Sequence, residues 1–415
     1  MQTNISNKAV FVGMSGGVDS SVSAVLLKKA ACNVTGVFIK VWQPDWIECN
    51  WKEERLEAMR AAAHLDIPFI TLDLEKEYKN GVIEYMIAEY KAGRTPNPDV
   101  MCNREVKFGA FWKWAKSHGA DYIATGHYTR IDSARGGIRF EECPQTIFSR
   151  KSSRIRKKFC RTFSAFREAK SSAGANALRL LMGVDSNKDQ SYFLWTLKQE
   201  DLEHVLFPVG HLNKPEVRKL AKRFRLPNAE KKDSQGLCFI GKVDVKEFLK
   251  HYIKTEIGKV LDESGETIGN HPGAFLFTIG ERHGFTVDKK HKTPSDMPYF
   301  VIDKDIDQNT IMVSNKDSAD SLPQAKTLVR ISDVNWIRGE TPDIEPTMIT
   351  PDLSQRGFPF QARSRYRQEL QSVKISSASI SEVEIEFEKP QDTLTPGQSL
   401  VIYDGEECLG GGVIQ

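Results

Sequence analysis

The sequence lacks any apolar run long enough to cross a membrane, since no window approaches about 18 uninterrupted apolar residues. Residues 1–8 are polar and lack the charged start and apolar middle of a secretory signal. These two absences predict a cytoplasmic protein with no membrane partner. The composition also excludes a chain that is disordered throughout, because 40% of the 415 residues are hydrophobic. A chain of this length is expected to hold two or three domains rather than one.

Cysteine is scarce and irregularly spaced. The seven cysteines are odd in number and widely scattered, which favours reduced thiols over a disulfide framework. No CxxC pair and no His/Cys cluster with zinc-ligand spacing occurs in the sequence, so no structural zinc site is expected. Any pairing between cysteines is therefore predicted to serve chemistry rather than to hold the fold.

A strongly basic character is also lacking, because the net charge is only +3. The average hides a local excess: between Ser133 and Gly183, twelve Lys or Arg residues stand against three Glu. The stretch from Arg135 to about Ala177 is rich in Ser, Arg and Lys and shows neither the period of a strand nor that of a helix. We interpret it as a mobile insertion, which either adds electrostatic affinity for nucleic acid or has no function.

The order of apolar segments predicts an α/β domain followed by β-rich structure. In the first part of the chain, short apolar runs alternate with helical patterns of about a dozen residues, as in parallel βαβ units. Beyond Lys242, short period-two segments are separated by Gly and Pro, which is typical of a small barrel or sandwich. The predicted domains are residues 1–241 including the insertion, a small central domain at 242–285, and a C-terminal β-barrel domain at 286–415.

A phosphate-binding loop is predicted between the first strand and the first helix. Gly16 and Gly17 follow the apolar run 9–12 and precede a helix that starts near Ser20. Glycine lets backbone N–H groups approach phosphate oxygens closely, and the positive end of the helix dipole attracts the same anion. The loop differs from a Walker loop, because no lysine stands where one would reach the terminal phosphates. Neighbouring serines and Asp19 favour a phosphate loop over a glycine turn without function.

Two cysteines stand in sequence contexts that favour reactive thiols. Cys102 follows the proline-stiffened segment 95–99 at the start of a predicted helix, whose N-terminus lowers the pKa of a thiol. Cys238 follows a polar, glycine-containing loop with Lys231 and Lys232 nearby, which also favours thiolate and persulfide chemistry. A structural role stays the alternative for both. The other cysteines are interpreted as packing residues: Cys32, Cys49, Cys143, Cys160 and Cys408.

Several motifs carry a resemblance to a known family. Residues 15–20, Ser-Gly-Gly-Val-Asp-Ser, resemble the loop of the PP-loop pyrophosphatase superfamily, whose members split ATP between its α and β phosphates. Further motifs make the sequence similar to bacterial tRNA-specific 2-thiouridylases over nearly its whole length and in the family's order: Asn97 to Asp99 with Cys102, Ala124 to Tyr128, Asn187 to Leu194, Asp233 to Gly241, Arg365 with Tyr366, and Pro396 to Gln398. The resemblance implies an α/β domain with a parallel sheet of the adenine nucleotide alpha-hydrolase-like type, a small central domain and a C-terminal β-barrel.

The resemblance implies ATP-dependent 2-thiolation of the wobble uridine in tRNA anticodons. ATP, with Mg²⁺, would adenylate O2 of the uridine, which turns a poor leaving oxygen into AMP. A persulfide on Cys238, filled by a sulfur-relay protein or a cysteine desulfurase, would deliver sulfur to C2. Cys102 would attack that persulfide to form a disulfide or release hydrogen sulfide, and Asp99 belongs to the same catalytic set. An iron–sulfur cluster held by Asp99, Cys102 and Cys238 is the alternative to the persulfide.

The resemblance also implies the binding residues. For ATP these are Gly13, Met14, Ser15, Gly16, Gly17, Val18, Asp19, Ser20, Ile39 and Gly126. For the target base they are Asn97, Pro98 and Asp99, and for tRNA they are His127, Lys188, Asp189, Gln190, Arg365, Tyr366 and Gln398. The residue types suit these roles, since Asn and Asp hydrogen-bond a base edge, Arg and Lys bind phosphates, and tyrosine stacks on a base.

The sequence departs from the family mainly at the insertion, which stands where the family has a short β hairpin and is expected to replace it. Glu281, where the family commonly has Gln, and Ile39, where some members have Met, are small departures. Two other functions stay open: a PP-loop enzyme acting on a small molecule, and a catalytically dead tRNA-binding homologue. The first leaves the two cysteine contexts unexplained. The second would be favoured by loss of Cys102, Cys238 or Asp19, and all three are present.

Overall fold

The computed structural model describes residues 5–46, 51–133, 177–232, 244–288, 298–315, 326–342, 357–378, 382–391 and 394–415. Cys238 with most of its motif, nearly all of the basic insertion, and Cys49, Cys143 and Cys160 lie outside these residues. Within the described ranges, no helix is long and apolar enough to span a membrane.

The N-terminal part of the chain forms a parallel sheet of five strands. The strands are β1 (Ala9–Gly13), β2 (Asn33–Lys40), β3 (Phe69–Asp73), β4 (Tyr122–Ala124) and β7 (Val205–Leu206), in the order β3-β2-β1-β4-β7. Every neighbouring pair is parallel. Val10 and Val12 of the central strand β1 are fully buried, as expected for a sheet covered on both faces. The predicted α/β domain with a parallel sheet is confirmed.

Helices connect and cover these strands. They are α1 (Val18–Lys29), α2 (Trp51–His64), α3 (Glu75–Tyr78), α4 (Tyr85–Lys91), α5 (Pro98–Met101), α6 (Phe111–Ser117), α7 (Gln199–Leu202), α8 (Lys214–Arg223) and α9 (Val245–Lys250). Two π-helical segments, Lys79–Glu84 and Cys102–Ala110, join α3 to α4 and α5 to α6, and single 3-10 turns lie at Ser191–Phe193 and Ala274–Leu276. Helix α1 packs on α8 through one apolar cluster that includes Val22 and Leu220, so these two helices lie side by side.

A second sheet has five strands and is mostly antiparallel. Its strands are β8 (Gly258–Leu261), β9 (Thr267–His271), β10 (Thr286–Val287), β11 (Phe300–Asp305) and β12 (Thr310–Ser314), in the order β10-β9-β8-β12-β11. Strands on both sides of the domain boundary predicted at 285/286 therefore belong to one sheet, and β8 pairs with β12 in parallel across it.

The C-terminal third closes into a barrel of six strands. These are β13 (Lys326–Trp336), β14 (Phe360–Arg363), β15 (Gln371–Ala378), β16 (Glu382–Gln391), β17 (Ser399–Asp404) and β18 (Glu407–Ile414). They pair in the order β13-β16-β15-β14-β17-β18, and an additional pairing of β13 with β18 closes the ring. The inward side chains form one apolar cluster that includes Ile331, Val373 and Ile385. The predicted C-terminal barrel is confirmed.

A hairpin links the barrel to the first domain and corrects one expectation from the sequence. Strands β5 (Thr129–Ser133) and β6 (Leu178–Met182) pair antiparallel over five residue pairs, and β6 also pairs with β18. The expectation that the insertion replaces the hairpin is therefore wrong. Because Ser133 lies opposite Leu178, the insertion begins and ends at the tip of an intact hairpin.

Candidate functional site

The predicted phosphate loop lies at the carboxyl end of β1 and leads directly into α1. Gly16 has a φ of +74°, and a Cβ there would lie 2.5 Å from the carbonyl oxygen of Glu54. Only glycine fits this position without displacing α2. Gly17 occupies the N-cap position of α1, and its carbonyl oxygen accepts hydrogen bonds from the hydroxyls of Ser20 (3.2 Å) and Ser21 (3.0 Å). The loop is thus held at the N-terminus of a helix, where backbone N–H groups face an anion.

Asn228 fixes the shape of this loop. Its side-chain Nδ2 donates to the carbonyl oxygens of Gly16 (2.9 Å) and Gly17 (3.2 Å) and to the Ser21 hydroxyl (3.0 Å). The side chain is buried, so these bonds lie away from competing water. They fix the orientation of two carbonyl oxygens of the loop.

Asp19, in the first turn of α1, is the centre of a hydrogen-bonded group. Its Oδ1 accepts from the hydroxyl of Tyr128 (2.8 Å), and Lys214 Nζ lies 2.8 Å from each of its two carboxylate oxygens. Lys214 is the first residue of α8, and its backbone N–H donates to Asp185 Oδ2 (2.8 Å). A lysine from a distant part of the chain therefore stands beside the phosphate loop.

The remaining residues predicted to bind ATP gather around the same edge of the sheet. A Cβ on Gly126 would lie 2.7 Å from the backbone nitrogen of Ser20, so the turn after β4 packs directly on the start of α1. Met14 is buried and its N–H bonds to the carbonyl of Val37, while Ile39 is buried in the neighbouring strand β2. The turns after β1 and β4 and the end of β2 thus meet, which is where open α/β sheets bind ligands.

The buried His127 and the half-buried Gln190 bond to protein groups next to this site. His127 is buried beside Phe108 and Phe207, and its Nδ1 lies 2.7 Å from the Thr125 hydroxyl. Burial, with a smaller effect of Lys107, holds the pKa of His127 well below its usual 6.5, so the ring is neutral. Gln190 accepts from the Tyr128 N–H through Oε1 (3.0 Å), and its own N–H bonds to the Tyr128 carbonyl. Gln190 therefore positions the tyrosine that contacts Asp19.

Cys102 lies further inside its helix than the sequence indicated. The helix begins at Pro98 with Asn97 as its N-cap, which accepts the Val100 N–H at 3.4 Å, so Cys102 is beyond the first turn. The expectation that Cys102 starts a helix is wrong, and the dipole effect on its thiol is correspondingly small, because this effect falls off within one turn. The side chain has no exposed surface. Reaction at Cys102 requires the side chains that cover it to move.

Two other cysteines have the properties of packing residues. Burial raises the pKa of Cys32 to about 11 and raises that of Cys408 further. Both thiols therefore stay protonated at neutral pH, which agrees with their interpretation as bystanders.

The barrel holds the segment that precedes the residues predicted to contact the target base. Gln398 Nε2 donates to the carbonyl oxygens of Thr95 (2.9 Å) and Pro96 (3.3 Å), and the Thr95 N–H bonds to the carbonyl of Pro396. A cavity of about 120 Å³ lies alongside, lined by Asn97, Arg104 and Trp195 and by the barrel residues Asp333, Ser399 and Val413. Asn97 is therefore placed at the junction of the first domain with the barrel, and Gln398 holds that junction together.

A buried ion pair joins the predicted tRNA-binding segments. Asp189, which is 1% exposed, pairs with Arg363 of β14, and its Oδ1 accepts the backbone N–H groups of Gly183 (2.9 Å) and Ser191 (3.1 Å). Arg363 also donates to the Tyr403 hydroxyl at 2.8 Å. Burial alone would lower the pKa of Arg363, but Tyr403 and Asp189 outweigh it and raise this pKa, so the guanidinium stays charged. Asp189 thus anchors its segment to the barrel.

The exposed members of the predicted tRNA set lie next to this pair. Arg365 is exposed, and the half-buried Tyr366 packs on Phe193 with ring centroids 4.7 Å apart. Arg367 Nε donates to the carbonyl of Asn187 (3.1 Å), beside the half-buried Lys188. The turn after β14 and the segment around Lys188 therefore form one continuous surface.

Three side chains of the site were not identified from the sequence: Lys214, Asn228 and Arg363. Each has a side-chain partner more than 170 positions away along the chain, as the separation of 195 positions for Lys214 and Asp19 shows. Among the described residues, no group of three or more His, Cys, Asp or Glu side chains is arranged to hold a metal ion.

Family profiles match most of the chain. A profile described as "tRNA methyl transferase HUP domain" matches residues 8–242, one described as "tRNA methyl transferase PRC-barrel domain" matches 246–315, and one described as "Aminomethyltransferase beta-barrel domain" matches 326–414. The first alone covers more than half of the chain.

Full-length relatives are also similar. The chain is 40% identical to "tRNA-specific 2-thiouridylase MnmA" of Lactococcus lactis subsp. lactis and to the protein of the same name from Streptococcus sanguinis. Both matches cover 98% of this chain and 94% of the relative. A solved structure, "U34-tRNA thiolase NcsA from Methanococcus maripaludis" with its 4Fe–4S cluster, matches at 16% identity with a TM-score of 0.31, covering 59% of this chain and 65% of that one. This likeness is too weak to bear on function.

Proposed function

The chain belongs to the tRNA-specific 2-thiouridylase family, and from this membership we infer how its residues carry out the ATP-dependent thiolation of uridine in tRNA. The description of the first family profile mentions methyl transfer, but the full-length relatives at 40% identity are named for thiolation. The protein is accordingly a sulfurtransferase that modifies tRNA. The observation that best supports the assignment of its nucleotide site is the meeting of the phosphate loop, the Gly126 turn and the Asp19 group at one sheet edge.

ATP is proposed to lie on the loop from Gly13 to Ser20, with Ile39 and Gly126 beside the adenosine. The glycine N–H groups and the N-terminus of α1 hold the phosphates. Mg²⁺ would come with ATP as part of the cosubstrate, and Asp19 is the carboxylate of this loop that would help to hold it, since Mg²⁺ in phosphate sites uses one or two carboxylates and keeps several waters. Uridine O2 attacks the α phosphorus, the N3 proton passes to solvent, and pyrophosphate leaves with the electron pair.

Sulfur transfer is proposed to use Cys238 and Cys102. The terminal sulfur of a Cys238 persulfide attacks C2, and AMP departs with the electron pair of the C2–O2 bond. The Cys102 thiolate then attacks the Cys238 sulfur, which leaves the thiocarbonyl on the base and a Cys102–Cys238 disulfide that an external thiol reduces. Cys238 lies outside the described residues, and the burial of Cys102 means that this step follows a local opening of the helix that starts at Pro98.

The uridine is proposed to reach the site at the Asn97 to Asp99 segment, where an amide and a carboxylate can hydrogen-bond a flipped base. Arg365, Tyr366 and Lys188 form the surface that contacts the tRNA backbone, and the wobble position is the proposed target. His127, Asp189, Gln190 and Gln398 are half-buried or buried and bonded to protein groups. Their direct contact with tRNA stays a prediction, and each has a positioning role that does not require it.

The remaining assignments are proposals of the same kind. A sulfur-relay protein or a cysteine desulfurase supplies the persulfide, and the protein works in the cytoplasm. The persulfide is proposed in preference to an iron–sulfur cluster held by Asp99, Cys102 and Cys238. The domain limits 1–241, 242–285 and 286–415 stay a prediction. Action on a small molecule and a purely tRNA-binding role are not favoured, given full-length relatives named for thiolation.

The function is tested by ATP-dependent transfer of radiolabelled sulfur from a cysteine desulfurase system to bulk tRNA. The wild type is expected to label tRNA, and both Cys102→Ser and Cys238→Ser are expected to abolish the label. Cys32→Ala is the matched control, because Cys32 is a buried cysteine whose Sγ bonds to the Ile5 carbonyl, away from the proposed site. Label that persists in either serine variant would contradict the two-cysteine mechanism, and AMP formation without any label would contradict thiolation itself.

A further inference from the structure

Lys214 lies beside Asp19 at the end of the phosphate loop, although neither the loop motif nor the family resemblance indicated it. Its Nζ is 2.8 Å from both carboxylate oxygens of Asp19, and 5.9 Å from the centre of the Tyr128 ring. The Lys214 side chain is 13% exposed and that of Asp19 is 30% exposed, so the pair is partly open to solvent rather than sealed in the core. The ammonium is therefore placed where a small anion can reach it.

The position of Asp19 creates an electrostatic problem that Lys214 solves. A carboxylate in the first turn of α1 lies beside the place where triphosphate must bind, and two anions repel each other. The Lys214 ammonium offsets the charge of the carboxylate where it stands and that of the phosphate when it shifts, so one positive charge lowers the repulsion in both positions. In addition, α1 and α8 pack side by side with Asp19 and Lys214 at their first turns, so the positive ends of two helix dipoles point to one place. At the start of α8, Asp185 accepts the Lys214 N–H and Glu216 accepts the Asn213 N–H, so the side-chain ammonium of Lys214, rather than these backbone N–H groups, is the donor available to an anion.

Asp19 also keeps a hydrogen bond when Lys214 turns away from it. Its Oδ1 accepts from the Tyr128 hydroxyl at 2.8 Å, and Gln190 holds the backbone of that tyrosine through two hydrogen bonds. A shift of the flexible lysine towards a phosphate therefore leaves the half-buried Asp19 carboxylate with a hydrogen-bond donor, and avoids the cost of a carboxylate without a partner.

We propose that Lys214 binds the β and γ phosphates of ATP and the pyrophosphate that leaves. It supplies the cation that a Walker loop would carry within its own motif, but delivers it from the start of α8, 195 positions further along the chain. This inference rests on the ATP chemistry of the proposed function, since it assigns a residue to the departing group of that reaction.

The test compares the binding of pyrophosphate, ATP and AMP by calorimetry in Lys214→Met, Lys214→Arg and the control Lys219→Met. Lys219 is an exposed lysine on the same helix. Lys214→Met is expected to weaken pyrophosphate and ATP binding by about tenfold or more, as removal of a charged hydrogen-bond donor does, and to leave AMP binding within about twofold. Lys214→Arg, which keeps the charge, is expected to recover most of the loss.

Equal pyrophosphate affinity in Lys214→Met and Lys219→Met would overturn the inference, and so would an equal loss of AMP and pyrophosphate binding, which marks a structural role. A wild type that binds no ATP would instead refute the proposed function. Amine acylation of the wild type, read by mass spectrometry, keeps the test valid if the Met variant fails to fold. Pyrophosphate, but not AMP, is expected to protect Lys214 while Lys219 reacts as before; an unprotected Lys214 would exclude the contact.

Discussion

At the scale of single residues, the buried His127 and the half-buried His211 link the stability of the first domain to pH. Burial lowers the pKa of His211 from 6.5 to about 4, with a smaller effect of Arg130, and it lowers the pKa of His127 in the same direction. Below about pH 6.5 these histidines bind protons in the unfolded chain but remain neutral in the folded chain. Stability from these groups is therefore complete above pH 6.5 and is lost as the pH falls from 6.5 towards 4.

We expect the thermal unfolding midpoint to fall between pH 6.5 and 4, and to fall less steeply in His211→Gln. Each titrating histidine changes the free energy of unfolding by at most about 1.4 kcal/mol per pH unit within this window. The measurement is a series of thermal unfolding curves at pH 7, 6, 5 and 4.5 for both proteins. Parallel curves would show that His211 takes its proton equally well in both states.

The residues of the site could be predicted where their signal is local. Gly16 was found because a strand, a glycine pair and a helix follow one another within a dozen positions, and backbone geometry is a local property. Lys214 and Asn228 could not be found, because nothing near them in sequence shows that α8 packs against α1. Cys102 was placed at a helix start because Pro98 was assigned to the preceding loop, although proline is favoured in the first turn of a helix.

At the scale of elements, the contact between the barrel and the target-base segment depends on Gly397. Its φ is +91°, and a Cβ there would lie 2.8 Å from the Thr95 nitrogen and 2.9 Å from its oxygen. Gly397→Ala is therefore expected to push the 95–97 segment away and to reduce tRNA thiolation about tenfold or more, since small displacements at a reacting centre cost about that much. ATP affinity is expected to stay unchanged.

Gly339→Ala is the matched control for this change. Gly339 has a similar φ of +82°, but a Cβ there meets nothing within 4 Å. Both substitutions strain the backbone by about 1–2 kcal/mol, and only one creates a clash. The measurement is the rate of tRNA thiolation and the ATP affinity of both variants. Equal thiolation rates would mean that the contact between Gly397 and Thr95 does not position Asn97.

The ion pair between Asp189 and Arg363 holds one element of each domain together. Arg363→Met leaves a carboxylate that is 1% exposed without its counter-charge, so we expect the free energy of unfolding to fall by about 3–5 kcal/mol. Arg330→Met serves as control, because Arg330 is a barrel arginine in an exposed pair with Glu384 at 2.8 Å, worth about 1 kcal/mol or less. Denaturant unfolding of both variants measures the difference, and similar losses would argue against the anchoring role of Arg363.

The sequence predicts the parallel sheet and the barrel but does not predict the β5–β6 hairpin. The parallel sheet and the barrel follow from periods of burial that are visible within five to ten residues, and both were predicted correctly. The β5–β6 hairpin was missed because its two strands, Thr129–Ser133 and Leu178–Met182, are separated by the basic insertion and pair only through tertiary packing.

At the scale of the whole molecule, the insertion is predicted to be dispensable for folding. Replacing 134–177 with a two-residue turn such as Asn-Gly joins Ser133 to Leu178 through that turn alone, and keeps the five residue pairs of the hairpin and its pairing with β18. We expect the shortened protein to fold and to bind ATP as before, measured by thermal unfolding and calorimetry. A collapse of the barrel on this change would contradict the register described above.

The same protein separates the two hypotheses for the insertion. The deletion removes a strongly basic stretch, so a role in binding predicts weaker tRNA affinity and a shallower dependence of that affinity on salt. Unchanged affinity and slope would leave the insertion without a role in tRNA binding. The comparison needs one titration of tRNA at several salt concentrations for each protein.

The pairing of β6 with β18 has a consequence for folding during synthesis. More than two hundred residues separate these two neighbouring strands. At about 5–20 residues per second, a ribosome needs on the order of ten seconds or longer to synthesise that interval. Throughout this time the hairpin of the emerging first domain offers an open strand edge, which is a site for pairing with other chains. The nascent protein is thus exposed to misassembly at this edge until β18 pairs with it, and a chaperone that binds β6 during translation would protect it.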